Sequence, residues 1–546
     1  MTLTSGAAQE TQTQDRPLVP ERLVREFRLW LPGPIRRLPE WLRVGAFLLI
    51  VMAASTIFRT RELGGQFWMD EAIAVGIAGH PLSAIPGVLR MDGSPPLYYF
   101  LLHIWMSWFG NGEAATHSLS LVFATLTIPV SYWSANSLFG KRAALMAAVL
   151  FGFSPFLTGY AQETRMYALM ALLGLLATTG FIHGFVHRRR KWVALFAVSE
   201  ALMLYTHAWA LFYGAGSLLA LAVIYRLSDE QHRQNLIRDA IFAYGGAALL
   251  FLPWLPNFIY QMTHTAAPWD SSPRFGAPVQ LSRNLVGGDS ITAVLAVTAA
   301  VGLSDFFVKR GRNTVQARVM WSLIAITVLT LGLAWLASQV TPAWVPRYFA
   351  PILASVLLLA VMGMSRAGVL GAIALVLSLI FVHSPTASAP AYKSDMQDIA
   401  AEFGPLMHPG DLVIVGQPEQ TPLAYYYFPG GLKFANTMQG SDSQPSYMDW
   451  VHALDRYRRA NPWKLLPPLL NGLKPNQQVV YIQPLTEGVL NWTSPWTSQI
   501  RLATAQWGEI FDQYVRDKQL QPEYWAPHNY HGAATVGNQA VLYKKR

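Results

Sequence analysis

Long apolar stretches recur through the first 383 residues, at 43-58, 115-138, 143-160, 166-186, 192-206, 208-225, 238-258, 291-307, 317-338, 348-364 and 367-383. Stretches of roughly 20 apolar residues predict transmembrane helices, because a helix rising ~1.5 Å per residue needs about that many to cross the hydrocarbon core. Basic clusters fall at every second junction: Lys141-Arg142, His187 to Lys191, then Arg226, Arg233 and Arg238, then Lys309, Arg310, Arg312 and Arg318, then Arg366. Placing all of them on the cytoplasmic side predicts about eleven spans, with the N-terminus inside and the C-terminal part outside. The segment 1-42 agrees with that orientation. It is polar, then basic at Arg22, Arg25, Arg28, Arg36 and Arg37, and it has no short apolar core with a small-residue cleavage site. Residues 96-109 are apolar but too short to span, so they predict an interfacial helix within a long first external loop, 59-114.

After residue 384 the pattern changes. Charges and prolines mix with short apolar runs. DLVIVG (411-416), QQVVYIQP (477-484) and AVLY (540-543) predict buried strands, and 394-407 predicts a helix ended near Pro409-Gly410. The chain therefore divides into a basic N-terminal segment, 1-42, a transmembrane domain, 43-384, and a soluble extracytoplasmic α/β domain, 385-546.

Composition strengthens this reading. Of the 546 residues, 52% are hydrophobic and 13% charged, about half the charge of an ordinary soluble chain. There is no cysteine, which excludes disulfides, thiolate metal sites and a cysteine nucleophile. The net charge of +10 is accounted for by cytoplasmic orientation signals, so no nucleic-acid partner is expected.

Polar residues beside apolar spans are costly and tend to be paired or functional. Four groups fall on the expected outer side. Phe67-Trp68-Met69-Asp70-Glu71 follows the first span; adjacent carboxylates there suit a general base, or simply the first turn of a helix. Asp92-Gly93-Ser94-Pro95-Pro96-Leu97-Tyr98-Tyr99 suits a turn and helix start, with Asp92 as its one charged group. Tyr160 to Tyr167 places Gln162, Glu163 and Arg165 in one tight turn, which suits either headgroup water or a ligand. Tyr205-Thr206-His207-Ala208-Trp209 and Pro346-Arg347-Tyr348 form the fourth group. Arg347 at the mouth of a span is suited to clamp phosphate in a forked geometry, or to snorkel to headgroups.

These blocks resemble the GT-C superfamily of polyprenyl-phosphate-dependent glycosyltransferases, in particular the protein O-mannosyltransferases and the bacterial aminoarabinose transferases of lipid A. The resemblance is carried by FWMDEA (67-72), DGSPPLYY (92-99) with LLHIW (101-105), YAQETRMYAL (160-169), LYTHAW (204-209) and PRYFAP (346-351), and it covers most of residues 43-383. It implies a polytopic helical membrane protein that moves one sugar, with inversion, from a polyprenyl-phosphate donor to a hydroxyl of a cell-envelope acceptor. Asp70, with Glu71 beside it, takes the catalytic position. Arg347 and Arg165 stabilise the leaving phosphate, with His207, Tyr348, Glu163, Gln162 and Tyr167 around donor phosphate and sugar. Asp92, Tyr98, Tyr99 and Trp209 fall to the acceptor or to positioning. The family also suggests a divalent metal, magnesium or manganese, between Asp70 and Glu163, although no dedicated metal spacing is present.

The chain departs from the family pattern at Ser94, where many relatives carry histidine or asparagine, and at Met166, where many carry proline. The sugar and the acceptor therefore stay open. So does a second reading, a polyprenyl-linked sugar transporter or flippase. Against it, the charges gather at one mouth rather than at the midplane, and no repeated halves are visible. The tail residues His408, Asp411, Glu419, Glu523, His528 and His531 show no catalytic spacing, so the tail is expected to cap the cavity or guide the acceptor.

Overall fold

The structure, a computed structural model, describes residues 38–308, 314–382, 393–485, 494–525 and 537–546. The arginines before residue 38, the cluster at Lys309, Arg310 and Arg312, the histidines His528 and His531, and the expected boundary at 384 lie outside the described residues.

Every expected span coincides with a helix or a helix pair. Among the described residues, six helices are long and apolar enough to cross a membrane: Glu40–Arg59, Glu113–Phe139, Tyr167–Val186, Asp289–Phe307, Val315–Val340 and Pro346–Arg366. Glu230–Phe251 and Leu255–His264 make a seventh if taken as one span bent by 78°, and Ala210–Arg226 and Val369–Phe381 are shorter apolar helices. The stretch expected at 143-160 breaks into Lys141–Gly152 and Pro155–Tyr160. Proline cannot continue a helix from the residue before it, and the Ser154 hydroxyl instead caps the second piece.

The loop between the first two spans is helical rather than irregular. It contains Met69–Ala78, Ile85–Asp92 and Leu97–Phe109. The last buries Tyr98, Tyr99 and Leu102 and leaves Trp108 and Phe109 exposed, the aromatic edge expected of a helix resting on a bilayer surface.

The C-terminal unit is a three-layer α/β structure. Its strands are β1 (Leu412–Val415), β2 (Lys433–Asn436), β3 (Gly440–Asp442), β4 (Gln478–Pro484), β5 (Leu520–Trp525) and β6 (Asn538–Lys545), in spatial order β3-β2-β1-β4-β6-β5. β1 pairs parallel with both β2 and β4, and the outer pairings are antiparallel. β1 and β4 read as continuous apolar runs because both faces are covered. Val413, Val415, Val480 and Ile482 pack with helices Met396–Phe403 and Thr421–Tyr427, whereas Leu412, Ile414, Val479 and Tyr481 pack with Pro462–Asn471 and Pro495–Arg516.

Two glycines set how closely the parts approach. At Gly174 an added methyl would overlap the carbonyl of Pro351, so helix Tyr167–Val186 packs directly on the backbone of Pro346–Ile352. At Gly76 it would overlap the carbonyl oxygen of Ser446, which brings helix Met69–Ala78 against the C-terminal α/β unit.

Candidate active site

Helix Met69–Ala78 begins with Asp70 and Glu71 in its first turn, where the helix dipole favours carboxylates. Successive residues on a helix point about 100° apart, so the two carboxylates have separate surroundings.

Asp70 faces the arginines. Its Oδ2 lies 3.2 Å from Nη2 of Arg347 and 3.8 Å from Nη2 of Arg165. Arg165 also donates from Nη1 to the Asp70 carbonyl at 3.1 Å, and Arg347 donates from Nε to the Tyr167 hydroxyl at 3.1 Å. The Arg347 guanidinium lies over the Trp68 ring, 5.1 Å from its centroid. Both side chains are mostly shielded, 11% exposed for Arg165 and 23% for Arg347, while Asp70 keeps 20% of its surface open. Two guanidiniums thus converge on one carboxylate in a partly shielded setting.

An aromatic wall flanks them. His207 and Tyr348 have ring centroids 4.7 Å apart, and Trp209 lies 5.2 Å from Tyr348. The Trp209 backbone N–H donates to His207 Nδ1 at 3.2 Å, which leaves the ring proton on Nε2. Burial, with Arg165 and Arg347 adding to it, pushes the His207 pKa down to about 3, so the ring acts as a neutral donor.

Glu71 points the other way and is fully buried. Its Oε1 accepts from His117 Nε2 at 2.6 Å and from the Thr164 N–H at 2.8 Å, and Oε2 accepts from the Trp68 N–H at 3.1 Å. Lys393, the first described residue of the C-terminal unit, lies 3.1 Å from both carboxylate oxygens and donates to the Gln162 carbonyl at 2.7 Å. Burial pushes the Glu71 pKa up, but Lys393 and His117 outweigh it and hold the group below its ordinary value. Four separate segments meet at this carboxylate. Gln162 is also part of the framework: its side chain accepts from the Glu62 N–H at 2.8 Å and donates to the Thr158 carbonyl at 3.1 Å.

Two further carboxylates stand at the pocket's edge. Burial, with Glu71 nearby, raises the Glu163 pKa to about 7, and its Oε2 has no partner among the described residues. Burial raises Asp92 to about 6, with the Ser94 hydroxyl and Arg165 opposing the rise. Tyr99 lies near Asp92 and Arg165, whereas the Tyr98 hydroxyl is engaged with Ser120 at 3.2 Å. Asp270, in the loop before helix Ala277–Val286, comes close enough to Arg347 to sense its charge.

Asp70, Arg165, Arg347, Tyr167, Tyr348, His207 and Trp209 are thus brought together, with Glu163, Asp92 and Tyr99 at the margin. Sequence reading missed His117, Lys393 and Asp270. A histidine inside an apolar stretch was the one available signal, because polar groups there need a partner. Asp70 already faces two guanidiniums, and among the described residues no three His, Asp or Glu side chains converge on a common point.

Comparison with known proteins adds the following. Residues 93–260 match the family model for dolichyl-phosphate-mannose-protein mannosyltransferase. No curated protein sequence matches. Among solved structures, ArnT from Cupriavidus metallidurans in the apo state superposes with a TM-score of 0.59 at 14% identity, over 91% of this chain and 98% of that one. The same protein bound to undecaprenyl phosphate gives 0.58, with the same identity and coverage. An oligosaccharyltransferase of Archaeoglobus fulgidus, in complex with zinc and sulfate, gives 0.45 at 12% identity over 79% of this chain and 67% of that one. The chain thus shares its overall fold with ArnT, and its residues 93–260 are similar to the dolichyl-phosphate-mannose-protein mannosyltransferase family.

Proposed function

We propose that the chain is an inverting membrane glycosyltransferase. It moves one hexosyl or pentosyl unit from a polyprenyl-phosphate donor to a hydroxyl of a cell-envelope glycan, lipid or protein on the extracytoplasmic face. The observation that carries this reading is the convergence of the Asp70 carboxylate with the Arg165 and Arg347 guanidiniums. The likeness to a protein solved with undecaprenyl phosphate bound supports the donor class.

In the proposed step, the acceptor oxygen attacks the anomeric carbon while Asp70 takes its proton. The bond from that carbon to the phosphate oxygen breaks, and polyprenyl phosphate leaves with the electron pair. Arg165 and Arg347 stabilise the growing negative charge by preorganised, forked hydrogen bonds. His207 Nε2–H donates to a phosphate or sugar oxygen. Without donor, Asp70 itself occupies the arginines. An arriving phosphate competes for them and frees the carboxylate as base. No step requires a metal.

The test is release of polyprenyl phosphate from a panel of polyprenyl-phosphate sugars, using reconstituted protein and an envelope extract. Wild type should act on one donor and be insensitive to chelator. Asp70→Asn should lose about 100-fold or more while remaining folded. Wild-type turnover in that variant refutes the base. Movement of lipid-linked sugar across vesicles without glycosidic transfer would replace the reading with transport.

A further inference from the structure

In open α/β sheets the ligand-binding crevice lies at the carboxyl ends of the parallel strands, where the chain turns to opposite sides. Here that point is between β1 and β4. The chain leaves β1 for β2 on one side and later returns to β4 on the other. Residues 417–421 follow the carboxyl end of β1 and carry Gln417, Glu419, Gln420 and Thr421, all at least nine-tenths buried.

This segment is turned toward the transmembrane domain. Gln417 Nε2 lies 3.9 Å from the sulfur of Met69, the residue before Asp70. Glu419 is near enough to Asp70 for the two carboxylates to oppose each other's charge. One oxygen of Glu419 is anchored: Oε1 accepts from Trp496 Nε1 at 2.9 Å and from Gln417 Nε2 at 2.7 Å. The Gln417 Oε1 in turn accepts from Gln420 Nε2 at 2.8 Å. The remaining polar atoms have no partner among the described residues: Glu419 Oε2, Gln420 Oε1 and Thr421 Oγ1 are enclosed and unbonded there. Leaving buried polar atoms unmatched is unfavourable, and such groups call for a partner beyond the described residues. The Glu419 and Gln420 oxygens accept hydrogen bonds and the Thr421 hydroxyl both accepts and donates, a set that the hydroxyls of a sugar match.

We propose that the soluble domain contributes a saccharide-binding subsite to the reaction centre, in which Glu419, with Gln420 and Thr421, accepts hydrogen bonds from sugar hydroxyls opposite Asp70. The proposal rests on the glycosyltransferase reading. The hydroxyls belong either to the donor sugar or to a sugar of the acceptor.

The test uses the full reconstituted chain with Glu419→Gln, which keeps the anchored oxygen and removes the free one, and Thr421→Val, which removes the hydroxyl at nearly constant volume. Each is measured for melting temperature and for apparent KM in separate titrations of donor and envelope extract. A turnover-independent arm records saturation-transfer NMR with methyl glycosides of mannose, galactose and arabinose. The expected result is a rise of about 10- to 100-fold in one KM for Glu419→Gln, and a smaller rise for Thr421→Val with an unchanged or higher melting temperature. A rise in the donor KM alone assigns the hydroxyls to the donor, and a rise in the acceptor KM alone assigns them to the acceptor. Should wild type turn over no donor, glycoside signals present in wild type and lost in Glu419→Gln would still support the subsite while the transferase reading failed. Both variants within twofold of wild type in both titrations, with unchanged glycoside signals, would overturn the subsite even if the enzyme is active.

Discussion

Replacing Lys393 with methionine isolates the knot at Glu71. The ammonium lies 3.1 Å from each Glu71 oxygen, and the pair is 7% and 0% exposed. Methionine preserves most of the side-chain volume but leaves the carboxylate with His117 and two backbone N–H groups. Breaking one side of a buried pair typically costs about 3–5 kcal/mol. For one cooperative unit of this length, with ~2 cal/mol/K of unfolding entropy per residue, that is a fall of roughly 3 to 5 °C in melting temperature. The pH dependence should change sign as well. In wild type the folded Glu71 pKa lies below its unfolded value, so its contribution is present above about pH 4.5 and is lost as pH falls through the folded pKa. Without Lys393 the burial that pushes the pKa up gains weight, and the carboxylate becomes a group whose protonation favours folding. The variant should then regain stability on acidification from pH 7 to 5, where wild type does not. Transfer should drop by up to about 100-fold, because an error of ~1 Å at Asp70 and Arg165 suffices for that. Melting curves in detergent at pH 5 and 7, run beside the turnover assay, measure both. The double variant Glu71→Gln/Lys393→Met removes both charges and should recover much of the lost stability. Additive losses in the double variant, or a melting temperature of Lys393→Met within 1 °C of wild type, would refute the reasoning.

Three further outcomes follow from the site. Arg347→Lys keeps a charge but cannot bond Asp70 and Tyr167 from one planar fork, so kcat should fall by about 100-fold with the fold intact. Glu163→Gln should raise the melting temperature by an amount that grows from about pH 4.5 to 7 and then levels off, since burial lifts the folded pKa to about 7; a constant gain at all pH values would contradict that cause. Gly174→Ala should push Pro346–Ile352 away from its neighbour and lower both melting temperature and turnover, whereas Gly159→Ala, where a methyl meets open space, should change neither.

The spans and the strands β1, β4 and β6 were legible because each rests on a local pattern: apolar runs for the bilayer, and short β-rich runs bounded by turns for the sheet. Asp70, Arg165 and Arg347 were legible because charges at a membrane face are costly enough to mark themselves. Glu71 was grouped with Asp70 because the two are adjacent in sequence, but adjacency on a helix separates side chains rather than pairing them. Gln162 stands in a block dense with polar groups, and nothing local tells a framework amide from one left for a ligand. Lys393 and Glu419 carry no spacing signal. Glu71, which Lys393 pairs, and Asp70, whose charge Glu419 opposes, lie more than 300 residues earlier, and such contacts leave no periodic trace.

The Lys393 contact also constrains how the molecule is made. Glu71 emerges from the ribosome early and Lys393 only after the last apolar helix, yet the loop bearing Asp70 is held through both. A nascent chain with all its spans inserted still has a buried anion awaiting its cation. That ion pair is therefore completed late in synthesis, and a chain truncated before residue 393 is expected to insert with Glu71 short of its lysine, which its melting curve would check.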